Sequence, residues 1–170
     1  MDLTELFLGE LESEIPATRR VLERVPEGHD DWKPHDKSMA LGYLAQLVAT
    51  MFGWVDLTVN QDFLDFNPPD GKRYTPPQVR TNTELLAAFD QSVEKARAAL
   101  KGTTEAHLLT PWQFRSGGQV LSEQPRYQVL RDGVFNHLAH HRGQLTVYLR
   151  LNEKPVPSVY GPSADEKPWG

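Results

Sequence analysis

The sequence predicts an all-α protein, a four-helix bundle with long loops between its helices. Three observations support this fold class. Four segments carry apolar residues at the 3.6-residue spacing of amphipathic helices, proline- or glycine-rich stretches separate these segments, and the 170 residues have ordinary contents of apolar (39%) and charged (24%) side chains. We therefore expect a single domain over residues 1–170, with a proline-rich tail from about residue 153.

The first two helices are predicted from long apolar stripes. The first extends from Asp2 to about Val25, and Pro16 is expected to kink it. The second extends from Ser38, a residue type that caps helix N-termini, to about Phe66. Its apolar stripe consists of Leu41, Leu44, Val48, Phe52, Val55 and Val59.

The remaining helices have recognisable start and stop signals. The third begins at Thr81, whose spacing to Glu84 is that of a capping box, and Gly102 ends it. The fourth begins near Pro125, a favourable first-turn residue, and extends to about Asn152. In the connection between them, the SGG of TPWQFRSGGQVL is expected to turn a small hairpin. The pattern alone leaves the order and direction of the helices open, because long loops also permit parallel neighbours.

The sequence also predicts where the side chains of three polar residues, Asp62, Arg142 and Gln144, point. The helical phase of Asp62 points it inward near the end of the second helix. Arg142 and Gln144 are expected to hold the fourth helix against loops, and for Arg142 we expect a surface or loop-anchoring ion pair.

Composition and charge exclude several classes of protein. The net charge of -5 is modest and spread along the chain, which gives no electrostatic footprint for nucleic acid. The acidic N-terminus lacks the features of a signal peptide, and no uninterrupted apolar run approaches a membrane span. The absence of cysteine excludes disulfides and thiolate metal ligands. We expect a soluble, cytoplasmic protein with neither nucleic-acid nor membrane partners.

Histidines cluster in the stretch NHLAHHRGQ of the fourth helix. His137 and His141 are one turn apart within the apolar stripe, and their Cβ atoms are expected about 5 to 6 Å apart, close enough for two ring nitrogens to bind one ion. Burying two imidazoles without partners costs roughly 1 to 3 kcal/mol for each unsatisfied group, so a partner is expected. His140 falls at the edge of the stripe. Hydrogen-bonded core histidines without a metal are the alternative.

Three stretches carry a resemblance to a known family. NHLAHHRGQLTVYLRLNEKPVPSVYGPSADE resembles the last helix and tail of the DinB-like family, which is related to YfiT-type metal-dependent hydrolases. TPWQFRSGGQVLSEQPR resembles the preceding segment, and KSMALGYLAQLVATMFGW resembles the second helix. The resemblance implies a bundle of up-down-down-up topology, often a homodimer. It also implies a divalent metal, nickel or zinc, held by one histidine of the second helix and two of the fourth. Neutral imidazole also suits ferrous iron, so zinc, nickel and iron are the expected metals.

The resemblance identifies His137 and His141 as metal ligands, but the third ligand is missing. The family pattern S-x-x-L-G-x-L-x-x-H aligns with SMALGYLAQL, which puts Leu47 at the histidine position. Gln46 and Glu14 are alternative third ligands. Relatives with assigned activities are thiol-dependent transferases and isomerases, so one hypothesis is a metal-dependent transferase or hydrolase that uses a small-molecule thiol. The other is a metal-free bundle that binds a small ligand or serves as a dimeric structural protein.

Overall fold

The computed structural model describes residues 2–69, 71, 79 and 81–167 and is mostly helical, as predicted. Most of the expected connection from Asn67 to Arg80 lies outside the described residues. The α-helices are α1 (Leu3–Leu22), α2 (Leu41–Thr50), α3 (Gly53–Asn60), α4 (Asn82–Gly102), α5 (Glu105–Leu108), α6 (Arg126–Val129) and α7 (His137–Leu151). A π-helical segment, Leu130–Asn136, joins α6 to α7. The strands are β1 (Phe63–Asp65), β2 (Pro111–Ser116) and β3 (Gln119–Pro125).

Aromatic side chains tie the helices together in the core. Helix α4 packs against α1, α2 and α3, while α2 also packs against α7. At the centre, the ring of Phe52 lies 6.1 Å from the rings of both Phe89 and Phe135, and Phe135 stacks on Phe7 at 5.6 Å. Each fully buried side chain of this size contributes about 1.5–3 kcal/mol. These contacts hold α1, the α2–α3 junction, α4 and the π-helical segment around one core.

The predicted second helix is wrong at both ends and in its middle. It begins at Leu41 rather than Ser38, because the loop before it folds back and Asp30 accepts a hydrogen bond from the Gly42 backbone. A Cβ at Gly42 would lie 2.9 Å from the Asp30 side chain, so this close approach requires glycine. The helix is interrupted between Thr50 and Gly53, and the backbone becomes extended at Gln61.

Asp62 does not point inward, and this prediction is also wrong. Because α3 ends at Asn60, the helical phase no longer applies to Asp62. Its side chain is 90% exposed, and its Oδ1 lies 2.6 Å from the buried guanidinium of Arg126. The ion pair ties the end of α3 to the start of α6.

A three-stranded sheet corrects the all-α prediction. The predicted hairpin is present: β2 and β3 pair antiparallel, with Ser116 opposite Gln119 and positive φ angles of 59° and 80° at Gly117 and Gly118. The unexpected strand is β1, which pairs with β2 in parallel and places Leu64 opposite Phe114. The strand order is β1-β2-β3.

Asp65 connects β1 to the hairpin turn. Its carboxylate accepts hydrogen bonds from the backbone amides of Gly117, at 3.0 Å, and Gly118, at 2.6 Å. We expect Asp65→Ala to accelerate amide hydrogen exchange most at Gly118, whose N–H loses the Asp65 carboxylate, and less at Gly117, whose N–H also donates to the Asn67 carbonyl at 3.0 Å. Asp132→Ala is the control, since the carboxylate of Asp132 accepts a side-chain hydrogen bond from Asn136. Equal exchange rates in wild type and Asp65→Ala would show that the carboxylate does not hold the turn.

The other predicted helices match more closely. Helix α1 continues through Pro16 and ends at Leu22, three residues before the predicted end at Val25. The capping box of Thr81 and Glu84 starts α4, as predicted. The fourth predicted helix starts directly after Pro125 and ends at Leu151, although its first part contains the π-helical segment. None of the described helices is both long and apolar enough to cross a membrane.

Candidate metal centre

The π-helical segment leads directly into the histidine run. Its wider turn changes the angle between successive side chains, so a count of 100° per residue does not hold between Leu130 and His137. Gly133 lies within this segment, and the backbone N–H of His137 donates to the carbonyl of Val134. His137 therefore begins α7 at a point where the regular helical hydrogen-bond pattern is interrupted.

His137 and His141 meet through their Nε2 atoms. These two atoms are 2.8 Å apart, and the ring centroids are separated by 4.5 Å. His141 is buried, with 8% of its surface exposed, whereas His137 is partly buried and its ring lies 5.6 Å from that of Trp54 on α3. Two imidazole nitrogens from one helix thus converge beside an aromatic wall.

The surroundings of His137 favour the neutral imidazole. Desolvation by burial lowers the pKa of His137 below its ordinary value, and the charge of a protonated His141 would lower it further. A hydrogen bond to the backbone of Gly133 acts in the opposite direction. A neutral ring has a free lone pair, which is the form that binds a metal.

The other ring nitrogen of His141 is held by Gln144. Its Nδ1 lies 2.8 Å from the Gln144 Oε1, one helical turn further along α7. The ring of His140 lies 4.9 Å from that of His141, and the side chain of His140 is exposed at the edge of the cluster. Sequence reasoning placed Gln144 against loops and missed this contact, although the i, i+3 spacing from His141 is a signal for it.

The predicted alternatives do not complete a three-ligand site. Within residues 2–69, 71, 79 and 81–167, no group of three or more histidine, cysteine, aspartate or glutamate side chains could hold an ion. Leu47 is half-buried against the core and has no atom that can bind a metal. Glu14 instead forms an ion pair with Arg142 at 2.6 Å and accepts a hydrogen bond from Tyr160. Gln46 as a ligand stays a prediction.

Family membership follows from a match over most of the chain. Residues 10–145, which include both His137 and His141, match the model of the DinB superfamily. The chain belongs to the DinB superfamily. The DinB chain is also 29% identical over 161 residues to an uncharacterised protein, YrdA, of Bacillus subtilis strain 168, covering 94% of this chain and 89% of that protein.

Two solved structures share the DinB fold. A DinB-like protein from Bacillus cereus ATCC 10987 has a TM-score of 0.70 and 22% identity, covering 92% of this chain and 97% of its own. The DinB-like protein YjoA from Bacillus subtilis has a TM-score of 0.67 and 21% identity, covering 89% and 96% of the two chains. Because the identities are only 21% and 22%, these two structures show that this chain has the DinB fold and nothing beyond the fold.

Proposed function

We propose that this DinB protein binds one divalent transition-metal ion, zinc, nickel or iron, through the Nε2 atoms of His137 and His141. The observation that carries the proposal is the convergence of these two atoms, 2.8 Å apart, at a largely buried position. Imidazole nitrogen is a suitable ligand for all three metals. The residues present therefore fit a site with two protein ligands.

The remaining ligands would come from outside the histidine pair. Leu47 contributes none, and the described part of the chain offers no cluster of three histidine or acidic ligands. Water or a small molecule would then occupy the other coordination positions. Open positions of this kind distinguish catalytic from structural metal sites, which the protein closes completely.

We propose that the chemistry is transfer of a group to or from a small external thiol. The chain has no cysteine of its own, so a thiol has to be supplied by a second molecule. A bound divalent ion lowers the pKa of a coordinated thiol or water and so supplies a nucleophile at neutral pH. His137 and His141 would hold the ion, and Trp54 covers the ring of His137 on one side.

The activity can be tested with the metal-loaded protein, cysteine as the thiol and an aromatic chloride as the electrophile. The thiolate sulfur would form a C–S bond as the C–Cl bond breaks, with chloride released and the thiol proton passed to the buffer. We expect His137→Ala to reduce the rate by at least roughly tenfold, since loss of even an outer partner of a metal ligand commonly costs about 10–100-fold. His140→Ala is the matched control, because His140 is exposed beside the pair. Equal rates for wild type and His137→Ala would exclude this function.

A metal-free role is the second candidate, and Leu47 favours it. An apolar side chain at the position where the resemblance expects a histidine is compatible with a cleft that binds a small apolar ligand. The half-buried Trp54 would then form part of the wall of that cleft. Stoichiometric metal binding by the histidine pair would exclude this candidate.

The up-down-down-up order of the bundle and a homodimer are further proposals from the family resemblance. Tyr43 on α2 and Val147 and Leu151 on α7 are each more than half exposed. Val147 and Leu151 lie one helical turn apart on the same face of α7, and this exposed apolar pair supports a contact surface there.

A further inference from the structure

We propose that Gln144 is a positioning residue that keeps the ring proton of His141 on Nδ1 and thereby aims the bare Nε2 lone pair at His137. This inference rests on the proposed metal site, because Gln144 would act on the metal only through the ligand His141. The contact that supports it joins His141 Nδ1 to Gln144 Oε1 at 2.8 Å.

The hydrogen-bonding capacity of the two side chains determines where the ring proton of His141 lies. A neutral imidazole carries one N–H and one lone pair, and an amide oxygen can only accept. The contact with Gln144 Oε1 therefore places the proton of His141 on Nδ1. Its Nε2 is left as an acceptor, and this is the atom that faces His137.

His137 faces His141 through its own Nε2, at 2.8 Å. With the proton of His141 on Nδ1, the Nε2 of His141 accepts a hydrogen bond from the Nε2–H tautomer of His137 in the metal-free protein. In the other tautomer of His137, with its proton on Nδ1, both rings present Nε2 lone pairs to the same point.

In that second tautomer the two lone pairs, 2.8 Å apart, repel each other unless one cation binds both of them. Metal-binding histidines commonly donate their second ring N–H to a carbonyl or carboxylate, which fixes the ring and raises its basicity. Gln144 provides such an acceptor for His141 from the same helix. The i, i+3 spacing of His141 and Gln144 is thus part of the metal site.

The test compares Gln144→Leu, which removes the acceptor, with Gln144→Glu, which retains one. We expect Gln144→Leu to weaken nickel binding about 10–100-fold in calorimetry, and Gln144→Glu to bind nickel at least as tightly as wild type. Thr146→Val is the control, because Thr146 lies on the same helix and donates to the Gly143 carbonyl. The melting temperature of each variant verifies folding.

A second readout reports the ring proton itself. In the metal-free protein at pH 8, ring ¹⁵N chemical shifts should show His141 as the Nδ1–H tautomer in wild type and Gln144→Glu, and a tautomer mixture in Gln144→Leu. Unchanged tautomer and unchanged nickel affinity in Gln144→Leu would overturn the inference while leaving the metal site intact. A tautomer change in a protein that binds no nickel would support the role of Gln144 and contradict the proposed function.

Discussion

Replacing both His137 and His141 with alanine is expected to abolish metal binding. Wild-type protein should contain about one equivalent of zinc, nickel or iron, and the double variant none, because the variant lacks both of the converging Nε2 atoms that would hold the ion. The measurement is elemental analysis by mass spectrometry of untagged protein purified without chelator. His140→Ala should retain the metal.

The same variants should differ in thermal stability. A ligand present at one hundred times its Kd stabilises the folded state by about 2.7 kcal/mol. For a chain of this length, each kcal/mol raises Tm by roughly 2–4 °C, so added metal should raise the wild-type Tm by about 5–10 °C. The double variant should show no such rise. Wild-type protein that contains no metal, even after incubation with each ion and gel filtration, would contradict the site and favour the metal-free cleft.

Local sequence signals predicted where two of the helices begin. The capping box at Thr81 and Glu84 starts α4 where expected, and Pro125 immediately precedes α6. Local signals could not predict the strand β1, because a strand forms by pairing. Its partner β2 lies about fifty residues further along the chain, and Leu64 lies opposite Phe114. The apolar residues of β1 continue the pattern of the preceding helix, so periodicity extended that helix too far.

The candidate site likewise has one feature that the sequence predicted and two that it did not. The i, i+4 spacing brought His137 and His141 together as the helix geometry requires. The π-helical segment before them was not predicted, because the apolar spacing of Leu130, Val134 and Leu138 in the sequence also fits a regular α-helix; Gly133 is only a weak signal of an irregular turn. The role of Gln144 depends on which ring nitrogen of His141 carries the proton, and spacing contains no information on this.

The surface alternative predicted for Arg142 is wrong, because residues from distant parts of the chain bury its side chain. Its helical phase points away from the histidine pair, which indicated a surface or loop-anchoring ion pair. An ion pair is present, but the side chain is only 1% exposed, since Glu14 and Thr18 of α1 and Tyr160 of the tail enclose it. The helical phase of a residue within one helix cannot show that another helix, here α1, and the tail bury its side chain.

The second large expected effect follows from that burial. Arg142→Met should lower the stability by about 3–5 kcal/mol, because breaking a buried ion pair leaves an uncompensated carboxylate. The guanidinium lies 2.6 Å from Glu14, whose side chain is 16% exposed, and it donates to Thr18 Oγ1 at 2.8 Å. Methionine retains most of the apolar stem, so the loss reports the charge and its hydrogen bonds. The Tm should fall by about 6–20 °C.

A matched substitution on the same helix is Arg150→Met. The side chain of Arg150 is 48% exposed and pairs with Asp165 at the surface, so water replaces the lost interaction and Tm should change little. If Arg142→Met were as stable as Arg150→Met, the buried pair would contribute nothing. The double variant Glu14→Met, Arg142→Met should recover part of the loss, since removing both charges also removes the desolvated carboxylate. Full additivity of the two single substitutions would show that Glu14 and Arg142 do not interact.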